Sequence, residues 1–97
     1  KKSDQLVFGS NTKSAQKLAN QMQDRGWTEQ DIRNLVDDPY TTRVSTNKGT
    51  RASSTVYYAQ EGYYVVVEDG TNVIVQISDK KDPNWIPDAS IVDPYFP

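Results

Sequence analysis

Apolar residues recur at helical spacing in the first third of the chain. Ala15, Leu18, Ala19 and Met22 fall at i, i+3, i+4 and i+7, the stripe of a core-facing helix over 12–24. Lys17, Gln21 and Arg25 fall on the other side of that helix. Asn11 or Thr12 is the expected N-cap. Gly26 suits a left-handed C-cap, with Arg25 beside the negative end of the helix dipole. A second helix is expected at once. Thr28 supplies a capping hydroxyl, Glu29 and Asp31 put acids in the first turn, and Ile32, Leu35 and Val36 form a short apolar face. It should stop near Asp37-Asp38, because Pro39 biases the preceding residue away from helix.

Further on, the pattern shortens to strands. A short strand is expected at 41–45, followed by a turn signal at Asn47-Lys48-Gly49. Three β-branched and aromatic runs, 55–60, 63–68 and 72–78, are joined by Glu61-Gly62 and Asp69-Gly70-Thr71. Such tight connections predict an antiparallel meander. Strict alternation puts Tyr64 and Val66 on one face, and Tyr63, Val65 and Val67 on the other. It likewise sets Ile74 and Gln76 against Val73, Val75 and Ile77. Both faces are apolar or aromatic. The expectation is that helices cover one face and leave the other as a partly exposed aromatic platform. Residues 79–97 read as an Asp/Pro-rich loop with a short edge strand at 90–92. Residues 1–10 read as an apolar anchor around Leu6-Val7-Phe8 or as a linker remnant. The expected fold is α+β, with N-terminal helices packed on a twisted antiparallel β-sheet, in one domain over 1–97.

Composition narrows the chemistry. The 97 residues contain no Cys, so neither a disulfide nor a thiolate metal site is available. They contain no His, which removes the commonest general acid–base group and the commonest metal ligand. No run approaches the roughly 18 apolar residues of a membrane span. The Lys1-Lys2 start suggests a piece of a longer protein, with delivery signals elsewhere. Net charge is −2, but residues 1–51 hold nine Lys/Arg against six Asp/Glu, and residues 52–97 hold two against seven. A basic half carried by an acidic half can still bind phosphate locally.

Lys17 and Arg25 are the candidate reactive pair. They lie eight positions apart, about 12 Å along a helix at 1.5 Å per residue, and their long stems can converge on one phosphate. The same spacing suits ordinary solvated cations. Without His, any chemistry must use Lys, Arg, Asp, Glu, Tyr, Ser or Thr. In cleavage of RNA by the 2′-hydroxyl on the adjacent phosphate, a partly desolvated Lys beside another cation can take part in proton transfer. Arg, which stays protonated, would stabilise the phosphorane. That chemistry requires no metal. Trp27, just after the helix cap, is the better core tryptophan; Trp85, in a polar loop, is the better base-stacking candidate. Asp79-Lys80-Lys81-Asp82 reads as a solvated turn or a phosphate contact through Lys80 or Lys81. There is no Gly-rich phosphate loop and no nucleophile elbow.

Two blocks resemble a known family. One runs from Lys17 to Asn34, with Met22, Arg25-Gly26-Trp27-Thr28-Glu29 and Asp31-Ile32. The other comprises Thr55-Val56-Tyr57, Tyr64-Val65-Val66-Val67, Gln76-Ile77-Ser78-Asp79-Lys80, Asp82-Pro83 and Trp85. In this order they are similar to the C-terminal ribonuclease domain of colicin E-five and its relatives among polymorphic and contact-dependent inhibition toxins. The resemblance spans 17–90 with a gap near 38–54. It implies a metal-independent tRNA endonuclease of the barnase–EndoU–colicin–RelE group, cutting in the anticodon loop and leaving 2′,3′-cyclic phosphate and 5′-OH ends. The family's catalytic Lys and Arg fall on Lys17 and Arg25. Its substrate-holding hydrophobic residue and tryptophan fall on Ile77 and Trp85, with Gln76, Ser78 and Lys80 matching beside them. Lys48 and Arg51 are candidates for a further phosphate contact. The resemblance also implies a cognate immunity protein, no cofactor, no homo-oligomer, no membrane insertion by this domain, and delivery within a larger toxin to a target bacterium's cytoplasm. Gln23 stands where the family has proline, and Tyr63 where colicin has lysine. The alternatives are a non-enzymatic protein-binding or immunity module, and a nuclease for another tRNA loop or mRNA.

Overall fold

The computed structural model describes residues 1–10, 13–46 and 51–97. Two helices, α1 (Ala15–Arg25) and α2 (Glu29–Asp37), precede five strands: β1 (Thr41–Thr46), β2 (Ser53–Tyr58), β3 (Tyr64–Glu68), β4 (Ile74–Ile77) and β5 (Ile91–Val92). The fold is α+β, as expected. The strands form one antiparallel sheet in the order β4-β3-β2-β1-β5. The meander is present. The C-terminal strand crosses back to β1, where Val44 pairs with Val92 and Ser45 with Ile91.

The helix termini follow their capping residues. Ser14, not Asn11 or Thr12, caps α1, its hydroxyl accepting from the Lys17 N–H; those two earlier residues lie outside the described set. Gly26 ends the helix at φ 81°, and the Trp27 N–H turns back to the Met22 carbonyl at 2.8 Å. Thr28 and Asp31 form a reciprocal capping box on α2. The backbone hydrogen bond from Thr28 chiefly lowers the Asp31 pKa.

Residues 1–10 act as an anchor. Leu6 is buried, and Val7 pairs in parallel with Val73 at the start of β4. Gly9 sits at φ 116°, where a Cβ would lie 2.6 Å from the Ala15 nitrogen, so this turn can press against the start of α1 only as glycine.

The helix-side core joins Leu6, Leu18, Trp27, Ile32 and Val36 to Val65, Val67, Ile74 and Ile77. Ile74 and Ile77 share this face although they are three residues apart. Val66 pairs with Gln76 and Val67 with Ile74, so Val75 is the extra residue of a β-bulge that breaks the expected alternation. The other face is no exposed platform. Tyr58 and Tyr64 are 0% exposed, packed with Val56, Val66 and Ile91 under Val75, Trp85 and Tyr95. The C-terminal loop folds back as a lid over the aromatics, because both faces of the sheet are too apolar to leave one wet.

Trp27 ties the two layers together: its indole N–H donates to the Ser78 carbonyl at 2.7 Å within the buried core. Trp27→Phe removes that donor and leaves the carbonyl unpaired. The expected loss is about 1–3 kcal/mol in a urea melt; an unchanged midpoint would show the bond to be dispensable. Asp37 accepts from the Ser3 hydroxyl at 2.6 Å and the Ser3 N–H at 3.1 Å, and the hydroxyl bond chiefly holds its pKa below the usual carboxylate value. A lowered carboxylate adds stability above its unfolded pKa and loses it as pH falls through the folded one. From about pH 4 downward, the wild type should therefore lose stability more steeply than Asp37→Asn in urea melts at successive pH values.

Candidate active site

The outer edge of β4 organises the site. Its first turnings are covered, since Ile74 donates to the Val7 carbonyl at 3.2 Å. Beyond that bridge no strand among the described residues lies alongside, and side chains from the α1 region take its place. The Arg25 guanidinium donates through Nη1 to the Ile77 carbonyl at 2.7 Å. Lys13, just ahead of α1, donates through Nζ to the carbonyl of the bulged Val75 at 3.2 Å and to Gln21 Oε1 at 3.0 Å. Lys13, Lys17, Gln21 and Arg25 thus form a ridge at four-residue spacing, and Lys13, Gln21 and Arg25 line up along the free edge of the sheet.

Arg25 is also held from the far side. Its guanidinium carbon lies 5.0 Å from the centre of the Trp85 ring, a cation–π contact. The Trp85 indole N–H donates to the Tyr64 hydroxyl at 3.0 Å, so the half-buried ring has a fixed orientation. Burial pushes the Tyr64 phenol up, and the same cause raises Tyr58. Both therefore stay protonated near neutral pH and do not serve as bases. Beside Trp85 a groove of about 420 Å³ runs between Tyr63, Tyr64, Lys80 and the chain end at Tyr95–Pro97. On the sheet face behind Val75, a hollow of about 310 Å³ is lined by Gln76, Ser45, Ser54, Asp88 and Ser90.

The charge pattern singles out one cluster. Arg33, Arg43 and Lys80 each pair with a carboxylate. Among the described residues, no carboxylate pairs with Lys13, Lys17 or Arg25. Burial, then Arg25, then Lys17 depress the Lys13 pKa, so all three cations sit within one field. An unbalanced cationic cluster along a sheet edge attracts an anion.

The predicted residues fall into three groups. Trp85, Ser78 and Lys80 line the groove, and Arg25 adjoins it through Trp85: the Lys80 N–H donates to the Arg25 carbonyl at 3.0 Å, and its ammonium lies over Trp27 at 4.1 Å while pairing with Asp31 at 3.5 Å. Lys17 is exposed and joins through its field on Lys13. Gln76 faces the hollow on the other side of the sheet. Ile77 and Ser78 are framework. The Ile77 side chain is 0% exposed in the helix-side core, so it offers a base no surface; its carbonyl is what the site uses. The buried Ser78 hydroxyl accepts from the Tyr64 N–H at 2.9 Å, and its carbonyl accepts from Trp27. Arg51 is exposed at φ 61° ahead of β2, with no contact to the cluster, and Lys48 lies outside the described residues. Sequence reasoning missed Lys13 and the bond that Gln21 makes to it. The four-residue spacing from Lys13 to Lys17 was the available signal. The β4 bulge that gives Lys13 its acceptor was not visible.

A family model described as the Colicin E5 ribonuclease domain matches residues 14–90. Colicin-E5 of Escherichia coli is 39% identical over 85 residues, covering 78% of this chain and 47% of that protein. The tRNA nuclease CdiA of Burkholderia pseudomallei is 37% identical over 84 residues, covering 77% of this chain and 6% of that protein. The chain therefore spans about half of one curated relative and a small part of the other.

The shared field has a direct readout. Removing either neighbouring cation should raise the Lys13 pKa, Arg25→Gln more than Lys17→Met, when the Lys13 side-chain carbons are followed by NMR through an alkaline titration. Identical titration curves in all three proteins would separate the cations.

Proposed function

We propose that this chain, which belongs to the Colicin E5 ribonuclease domain family, cleaves tRNA in the anticodon loop by attack of a 2′-hydroxyl on the adjacent phosphate. The family makes it an endoribonuclease. The substrate is suggested by the tRNA nuclease among its relatives. The observation that carries the chemistry is the cluster of Lys13, Lys17 and Arg25 with no carboxylate partner among the described residues, set beside a half-buried tryptophan.

Arg25 suits the phosphorane. One of its N–H groups is committed to the Ile77 carbonyl and its plane lies near Trp85, so the remaining donors are held in place for two phosphate oxygens. Little reorganisation is needed as charge develops. Lys17, exposed on the same ridge, handles a proton. Trp85 provides a stacking surface for a base beside the scissile phosphate. Lys80 and Gln76 line the groove and the hollow, and Arg51 or Lys48 contacts flanking phosphates. Ile77 and Ser78 act through the backbone, holding Arg25 and Trp27. The products are a 2′,3′-cyclic phosphate and a 5′-hydroxyl, and the reaction requires no metal.

The same family suggests the biological setting. The domain acts as the toxic part of a longer protein delivered to a target bacterium, inside whose cytoplasm it meets tRNA. A cognate immunity protein neutralises it by covering the cationic cluster at the β4 edge.

Arg25→Ala tests the assignment. Loss of its preorganised donors should slow tRNA cleavage by about 10²–10³-fold or more. The folded state should persist, with Tm lowered by about 4–8 °C for each kcal/mol lost with the Ile77 bond and the Trp85 contact. A folded Arg25→Ala protein that cuts tRNA at the wild-type rate would sink the role given to Arg25.

A further inference from the structure

Lys13 is more than a neighbour of the pair. The Gly9–Ser10 turn fixes its backbone: the Ser10 N–H donates to the Lys13 carbonyl at 2.6 Å, and the Lys13 N–H donates to the Ser10 hydroxyl at 3.2 Å. Its side chain runs half-buried to the β4 edge. There Nζ has two acceptors, Gln21 Oε1 at 3.0 Å and the Val75 carbonyl at 3.2 Å. An ammonium has three N–H groups and a neutral amine has two. The two acceptors use both N–H groups of the neutral form and leave its lone pair on the remaining tetrahedral position. A third N–H would have no partner among the described residues.

We infer that Lys13 is a third catalytic residue, and that its amine accepts the 2′-hydroxyl proton during cleavage. This rests on the reading of the site as one that cleaves RNA through its own 2′-hydroxyl. The surroundings agree with a neutral amine. The charged groups acting on Lys13 are Arg25 and Lys17, both cations from α1, while β4 presents only the Val75 carbonyl. Burial and both charges lower its pKa, whereas Lys17 has an exposed side chain between Lys13 and Gln21 on the ridge. A half-buried lysine with a lowered pKa beside a solvent-exposed lysine makes a suitable pair of base and acid.

The step balances. The 2′-O–H bond breaks and its proton passes to Lys13 Nζ. The 2′-oxygen forms its bond to phosphorus as the bond from phosphorus to the 5′-oxygen breaks. The 5′-oxygen takes a proton from the Lys17 ammonium. Lys13 is left charged and Lys17 neutral, and proton exchange through water restores both. Arg25 carries the equatorial charge throughout.

The test is single-turnover cleavage of tRNA at saturating enzyme across pH, with wild type and Lys13→Arg. Arginine keeps the charge and the donors but holds its proton. The saturated rate should fall by about 10²–10⁴-fold, with tRNA affinity within about threefold of wild type and the rising limb of the pH–rate profile flattened. A Lys13→Arg rate within threefold of wild type and the same profile would overturn the inference. So would a loss confined to binding, with the saturated rate intact. Should Lys13→Arg fail to fold, the wild type still decides. Its Lys13 carbons, followed by NMR, should titrate at the pH of the limb, and titration elsewhere rejects Lys13 as the base. The end chemistry is read separately. Wild-type products without a 2′,3′-cyclic phosphate would reject the transesterification reading itself, whatever Lys13 does.

Discussion

A strand at the edge of a sheet has carbonyls with no neighbour, and here two of them hold the cations of the site. Ile77 takes Arg25 and the bulged Val75 takes Lys13. Edge strands are ordinarily blunted by charge, by bulges or by covering elements. This one uses all three, with Val7 covering its first part. The same contacts that close the edge aim the guanidinium and the amine, so protection of the sheet and preparation of the site are one arrangement.

Holding like charges together opposes folding, and a domain of this size has little stability to spare. The tether between layers explains how the cluster persists. Trp27 follows directly on the Gly26 cap and anchors the end of α1 to Ser78, one residue beyond Ile77. Arg25 cannot swing away from β4 without breaking that buried bond or leaving Trp85. On the other face, Trp85, Tyr64, Tyr58, Tyr95 and Tyr40 touch in sequence, with ring centres 5.4–5.5 Å apart along the four tyrosines. The C-terminal loop therefore supports Arg25 from beneath. Phosphate would relieve the repulsion between the cations, so the site is most comfortable when occupied.

Local rules made much of this legible. The Gly26 cap, the Thr28–Asp31 capping box, the two apolar helix stripes and the tight turns all depend on neighbours in sequence, and each reading places its element within a few residues. The missing histidines directed attention to Lys17 and Arg25. What escaped was long-range. The Val75 bulge shifts Ile77 into the helix-side core, and alternation alone gives no sign of it. The fold-back of residues 85–95 buries Tyr58 and Tyr64, which a strand pattern with two apolar faces left open. Lys13 was passed over because its acceptors come from a bulge and from Gln21, and neither bond follows from spacing.

The central claim is that the chain cuts tRNA with its own lysines and arginine, through the 2′-hydroxyl. The most direct measurement is to incubate the purified chain with total tRNA in excess EDTA, then map the 5′ ends and identify the 3′ termini of the fragments. The account predicts undiminished cutting within the anticodon loop, giving 5′-hydroxyl and 2′,3′-cyclic phosphate ends. Fragments with 5′-phosphate and 3′-hydroxyl ends, or cleavage lost on chelation, would contradict it.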